Sequence, residues 1–165
     1  MDPIFIWIET SGLSVWARES TSLFAFPGIL ALHAIGMAIV AGMSTAIALR
    51  ILGIAPDVSL GEMKRFVPII WFGFWVKLSS VIILLIAYPT KALTDPVFYF
   101  KITCVTVGIL LFKRISRRVL DRSSIGFPLG ARTERWLAIG SLVCWVGAIG
   151  GGRFLAYTYV NLMTI

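Results

Sequence analysis

Four long apolar runs constrain the fold of this 165-residue chain more than any other feature. A helix of about 20 apolar residues matches the roughly 30 Å hydrocarbon core of a bilayer. Hydrophobic residues make up 58% of the chain, whereas soluble domains have roughly 45–50%. We therefore predict an all-α fold, an integral membrane four-helix up-down bundle that forms a single membrane domain over residues 1–165. The spans are expected at about 23–50, 68–88, 97–112 and 136–159.

The segment before the first run, residues 1–22, is too short to cross a bilayer. It contains a short apolar patch and two tryptophans, Trp7 and Trp16. Tryptophan is enriched at the membrane–water boundary, so we expect a short interfacial helix here. Charged residues within the segment argue against a cleaved signal peptide. Between the third and fourth runs, Gly126, Pro128 and Gly130 predict an irregular loop.

The distribution of basic residues predicts the orientation. The net charge is +7, but the basic residues cluster in short loops between apolar runs. This distribution favours contact with lipid and not with nucleic acid. One side of the membrane would carry Arg50, Lys64, Arg65, Lys113, Arg114, Arg117, Arg118, Arg122, Arg132 and Arg135, and the other Arg18, Lys91 and Lys101. Because cytoplasmic loops are rich in Lys and Arg, we expect a bacterial inner (cytoplasmic) membrane protein with both termini periplasmic.

Small residues recur every four positions in the first and last runs. Such ladders let membrane helices approach one another closely. The fourth run also contains three consecutive glycines at 150–152, which cost helix propensity and suggest a neighbour or ligand against the backbone. The ladders consist of Ala34, Ala38, Gly42 and Ala46, and of Gly140, Cys144, Ala148 and Gly152.

Ionisable side chains inside the runs are the candidate binding residues, because charges are costly at membrane depth. At about 1.5 Å rise per residue, His33 and Lys77 are expected near the midplane. Lys101 and Arg153 would lie nearer the periplasmic surface, with Tyr157 one turn beyond Arg153. These five residues form the predicted cofactor-binding or ligand-binding site.

Several functions are compatible with such a site. The leading hypothesis is a non-catalytic membrane subunit, homo-oligomeric or accessory to a larger respiratory or photosynthetic complex, in contact with lipid and other membrane chains. The alternative is a protein that binds haem b for electron transfer or sensing, with His33 as axial metal ligand and the cations near the propionates. A third is binding or transport of a small anion or a quinone-type ligand. A purely structural role, with His33 bonded across helices, is the remaining possibility.

No catalytic motif is present, so an enzyme is the less favoured class. A triad would need its base from His33, which lies in a span that contains no carboxylate. Cys104 and Cys144, both within spans, are interpreted as small apolar fillers, not as a disulfide or metal pair.

Three stretches resemble an uncharacterised bacterial family of four-span membrane proteins, a domain of unknown function. They are Leu23–Gly53, which contains HAIG from His33, then PVFYFKI at Pro96–Ile102, and the C-terminal GRFLAY at Gly152–Tyr157. The resemblance implies four spans and polar positions at His33, Arg50, Lys101 and Arg153. The family often has an acidic residue before the arginine that ends the first span. Here the sequence is STAIALRILG, so no role of that carboxylate carries over.

Overall fold

The computed structural model of the protein describes residue 7, residues 10–120 and residues 132–162, with side chains except those of residues 90–92 and 155–162. The described part of the chain is all-helical, as the sequence predicts. The predicted loop with Gly126, Pro128 and Gly130 lies outside it.

Seven α-helices follow one another in the described ranges. They are α1 (Gly12–Glu19), α2 (Phe26–Ile51), α3 (Leu60–Met63), α4 (Val67–Ala87), α5 (Pro89–Thr94), α6 (Pro96–Ile115) and α7 (Arg132–Leu162). A 3₁₀ turn (Lys64–Phe66) joins α3 to α4, and a π-helical turn (Ser116–Leu120) extends α6.

Four helical stretches are long and apolar enough to cross a membrane: Phe26–Ile51, Leu60–Ala87, Pro96–Leu120 and Arg132–Phe154. The chain is therefore a multi-pass membrane protein with a four-helix bundle, which confirms the predicted fold class. The third helix is longer than the expected 97–112, because it begins at Pro96 and the basic residues after Phe112 continue it to Leu120.

Local sequence explains where the long helices begin and end. Proline stands in the first turn of α2, α4 and α6, where its missing N–H removes no helical hydrogen bond. The Asp95 carboxylate accepts a hydrogen bond from the Val97 N–H at 2.8 Å and caps α6. After α2, Gly53 has φ +100°, a conformation that favours glycine and stops the helix.

The bundle packs as two helix pairs. The contacts between α2 and α4 and between α6 and α7 are the most extensive, and α2 also packs on α7. The main core joins all four helices through Val40, Ile70, Phe112 and Trp145. Many large apolar side chains point outward, among them Phe72 at 64% exposure, as expected where the solvent is lipid.

The N-terminal helix α1 lies against the end of α4. The Ser14 hydroxyl donates to the Ala87 carbonyl at 3.4 Å, and Ala17 is buried beside Ala87 and Ile29. Trp16 is 47% exposed, consistent with the predicted interfacial helix. We call this end of the bundle, where α2 and α6 begin and α4 and α7 end, the α1 end.

The two small-residue ladders lie in different environments. The ladder on α7 packs inside, since a Cβ added to Gly140 would lie 3.3 Å from the Leu111 side chain. The ladder on α2 is exposed at all four positions, and Gly42 has nothing within 4 Å of an added Cβ. The α2 ladder therefore takes no part in the close contact between α2 and α4.

Candidate functional site

His33 connects α2 to both neighbouring elements of the site. Its Nδ1 lies 3.1 Å from the Ser80 Oγ of α4, and its Nε2 lies 3.5 Å from the Lys101 Nζ of α6. The Ser80 hydroxyl donates its own hydrogen to the Lys77 carbonyl at 2.7 Å. Ser80 must then accept from His33, which assigns the hydrogen to Nδ1 and leaves Nε2 as the acceptor for Lys101.

Lys101 reaches His33 across the glycine-rich part of α7. A Cβ added to Gly151 would lie 3.6 Å from the Lys101 Cβ, and one added to Gly152 would lie 3.6 Å from its Nζ. The lysine side chain thus lies along the bare backbone of α7 on its way to α2. Gly151 and Gly152 thus have the neighbour expected at the glycine triplet, whereas an added Cβ on Gly150 would have nothing within 4 Å.

Lys77 lies at a close contact between α2 and α4. A Cβ added to Gly36 would lie 2.8 Å from the Lys77 backbone nitrogen and 2.9 Å from the Gly73 carbonyl oxygen. Side chains at positions 36 and 73 would therefore separate α2 from α4. Lys77 is only 5% exposed, and its Nζ donates to the Met37 sulfur. A thioether is a weak acceptor, which leaves most of the ammonium's donor capacity available.

The three basic groups form a cluster, defined here as His33, Lys77 and Lys101, which contains no carboxylate among the residues that the structure describes. The Lys101 ammonium contacts His33 directly, and Ser80 links His33 to the Lys77 carbonyl. All eight acidic residues of the sequence lie outside residues 20–56, 63–94, 96–120 and 135–165. Buried charges are normally paired with opposite charges or strong hydrogen-bond partners.

The depth of the cluster follows from helix geometry. His33 is seven residues from the start of α2 and Lys101 is five from the start of α6. At 1.5 Å per residue, they lie about 10 Å and about 8 Å below the α1 end, and Lys77 lies about 15 Å below it. His33 therefore lies at nearly the same depth as Lys101 and about 5 Å from the level of Lys77, nearer the α1 end than the midplane position expected from the sequence.

Two other predicted site residues are not part of the described cluster. Arg153 is exposed on α7, and among the described residues its guanidinium makes no hydrogen bond to His33, Lys77 or Lys101. Tyr157 belongs to α7, but its side chain lies outside the described residues. Arg50 lies at the opposite end, where it donates to the Val58 and Pro56 carbonyls and fixes the loop after α2.

Sequence reasoning missed Ser80 and the contact between Gly36 and Gly73. Ser80 could have been found as a hydroxyl three residues after Lys77, on the same side of α4. The role of Gly73 had no local signal, because a single glycine in an apolar run is common in membrane helices. Cys104 and Cys144 are free thiols, and the Cys104 sulfur would lie 3.1 Å from a Cβ on Gly147.

Comparisons with protein-family models, curated proteins and solved structures found no match. The resemblance to a four-span family therefore stays a prediction, and the function rests on the site itself.

Proposed function

We propose that this membrane protein binds an anionic ligand at the cluster of His33, Lys77 and Lys101. The observation that carries the proposal is a group of two lysines and a histidine on α2, α4 and α6, three helices that contain no acidic residue. Lys101 contacts His33 directly, and Ser80 links His33 to the Lys77 carbonyl. A carboxylate, phenolate or similar anion would neutralise this charge and accept from the ammonium groups. Charge-assisted hydrogen bonds of this kind are stronger than those between neutral groups.

The geometry favours an anion over haem. Both ring nitrogens of His33 have partners within the chain, Ser80 at Nδ1 and Lys101 at Nε2. To serve as an axial ligand of haem, Nε2 would have to lose its contact with Lys101 and coordinate the iron. Oxidised and dithionite-reduced spectra of the purified protein test this alternative: a reducible Soret band that disappears in His33→Ala would favour haem over our proposal.

A stability titration tests anion binding directly. The protein, in nanodiscs of zwitterionic lipid, is heated with increasing benzoate or with benzamide, its neutral counterpart. A ligand that binds only the folded state stabilises it by about 2.7 kcal/mol at 100 times its Kd. We expect benzoate to raise the Tm and benzamide to have a much smaller effect.

Variants assign that effect to the cluster. Lys101→Met keeps an unbranched side chain along Gly151 and Gly152 but removes the charge, and we expect it to abolish the difference between benzoate and benzamide. Arg65→Met, exposed at the other end of the bundle, removes one positive charge elsewhere and should leave the difference intact. Equal stabilisation by both compounds, or an unchanged response in Lys101→Met, would contradict the proposal.

We propose as a second possibility that the protein is a subunit of a membrane assembly, homo-oligomeric or with other chains. The exposed α2 ladder supports it, because small residues on an outer helix face allow close approach of another membrane helix. Placement in a bacterial inner membrane with periplasmic termini belongs to the same proposal.

The oligomeric state in detergent, from light scattering coupled to size-exclusion chromatography, tests this second possibility. The double variant Ala34→Leu/Ala38→Leu should reduce the mass of the particle without lowering the Tm, since both positions are exposed. An unchanged mass would argue against the α2 ladder as the interface.

A further inference from the structure

We infer that the ligand of the cluster is an amphiphile, with an anionic head at Lys101 and an apolar chain in a groove between α6 and α7. This inference rests on the proposed function and adds the class of ligand to it.

The groove lies at the α1 end and has a volume of about 410 Å³. On α6 it is lined by Pro96, Val97 and Phe100, and on α7 by Gly147, Gly150, Gly151 and Phe154. Every lining residue is apolar or glycine. The volume falls within the range usual for ligand sites, which combine apolar walls with a small number of polar groups that fix the orientation. The lining of this groove supplies the apolar part alone.

Gly151 joins the groove to the cluster. It lines the groove, and a Cβ at this position would lie 3.4 Å from the Phe100 ring and 3.6 Å from the Lys101 Cβ. Phe100 thus faces the groove, while the next residue carries its ammonium group over Gly152 to His33. A single molecule along α7 could place an apolar chain at Phe100 and an anionic head at Lys101.

Gly150 is the part of the groove that helix packing does not explain. Gly147, Gly151 and Gly152 are each covered by a side chain of α6, whereas a Cβ on Gly150 would have nothing within 4 Å. Glycine costs about 1 kcal/mol relative to alanine inside a helix. A ligand chain that packs against the backbone would account for glycine at this position, because a larger side chain here would occupy the groove.

The occupant follows from charge and polarity together. A wholly apolar molecule would leave Lys101 and Lys77 without a counter-charge, and a small polar anion would leave the groove unused. A molecule with a carboxylate or phosphate head and a hydrocarbon chain fits both surfaces. A free fatty acid and an acidic lipid share this chemistry.

The experiment is a chain-length series in the nanodisc titration, with butyrate and octanoate as probes and the matching amides as neutral controls. Burial of each CH₂ group strengthens binding by about fourfold at most. We expect octanoate to bind at least about tenfold more tightly than butyrate, and each amide to bind more weakly than its acid. The amides also correct for partition of the chain into the bilayer.

Variants at Gly150 test where the hydrocarbon chain of the ligand binds. Gly150→Leu should reduce octanoate affinity by about tenfold and leave butyrate affinity unchanged, because its Cβ would have nothing within 4 Å and the rest of the side chain would occupy the groove. Gly150→Ala makes a similar change in helix propensity with only one methyl group and should have a smaller effect. Thr106→Leu, exposed on α6, adds apolar bulk outside the groove and should leave both affinities as they are.

The outcomes separate this inference from the proposed function. Butyrate, benzoate and octanoate binding with similar affinity, each better than its amide, would overturn the amphiphile and leave the anion site standing. Octanoate preference that persists in Gly150→Leu would overturn the groove as the chain's location. Acids and amides that bind equally would overturn both proposals. For the two natural sources, lipid extraction of the purified protein distinguishes a free fatty acid from an acidic phospholipid.

Discussion

At the scale of single residues, glycines decide where the charged groups of this protein lie. Gly36 and Gly73 bring α2 and α4 into backbone contact beside Lys77, and Gly151 and Gly152 provide the surface for the Lys101 side chain. Lys101 therefore reaches the His33 imidazole directly, whereas Lys77 donates to Met37 and is linked to His33 through Ser80. The site is a consequence of close helix contacts as much as of its ionisable groups.

A substitution at Gly36 tests this conclusion. Gly36→Leu should lower the free energy of unfolding by about 1–3 kcal/mol or more, because its Cβ would meet the α4 backbone and force the helices apart. Reversible unfolding in mixed detergent and dodecyl sulfate micelles measures the change. Gly42→Leu, on the exposed side of the same helix, is the matched control and should be close to neutral. Equal stability of the two variants would show that α2 and α4 do not pack through Gly36.

At the scale of elements, the short helix α1 is attached to the bundle by a small contact. Ser14 and Ala17 are the buried residues of α1, and the Arg18 guanidinium lies 6.0 Å from the centre of the Tyr88 ring. Phe26, at the start of α2, packs edge-on against the same tyrosine. Tyr88 thus connects α1, α2 and the end of α4 at the α1 end of the bundle.

Ala17→Phe should release α1 from this position, since a ring does not fit where the alanine is 1% exposed. A loss of about 1.4 kcal/mol of docking free energy increases the population of the open form tenfold. We expect trypsin to cleave after Arg18 correspondingly faster in nanodiscs. Leu13→Phe, at a position 49% exposed, should be cleaved at the original rate, and the same rate in Ala17→Phe would refute the docking.

At the scale of the whole molecule, the orientation in the membrane follows from the loops. Arg50, Lys64 and Arg65 lie around the connection between α2 and α4, and Lys113 and Arg114 lie in the last turn of α6 at the same end. The positive-inside rule predicts that this end faces the cytoplasm. In that proposed orientation the cluster of His33, Lys77 and Lys101 would lie in the periplasmic half of the bundle.

Fusions to alkaline phosphatase, which is active only in the periplasm, test the orientation. A fusion at the C-terminus should be active, and a fusion after Asp57, in the loop that follows α2, should be inactive. The opposite pattern of activity would show that the protein has the inverted orientation, with the cluster in the cytoplasmic half.

The helical class and the number of spans were predictable from the sequence alone. Hydropathy and length are local properties, and a bilayer accepts an apolar run of about 20 residues only when its backbone hydrogen bonds are satisfied within a helix or a closed barrel. The candidates His33, Lys77 and Lys101 were also found locally, because an ionisable residue stands out in an apolar run.

The direction in which each helix faces was decided only by the tertiary structure. A helix that is apolar on all sides carries no amphipathic signal, and α2 has small residues both at Gly36 and along the exposed ladder. In the structure the face of α2 that carries Gly36 packs against Gly73 on α4. With α2 in this orientation, His33 faces Ser80 and Lys101. Arg153, equally conspicuous in the sequence, is exposed on α7. The depth of each basic residue therefore follows from its position in its own helix. Packing against the neighbouring helices was needed to bring the three basic groups together.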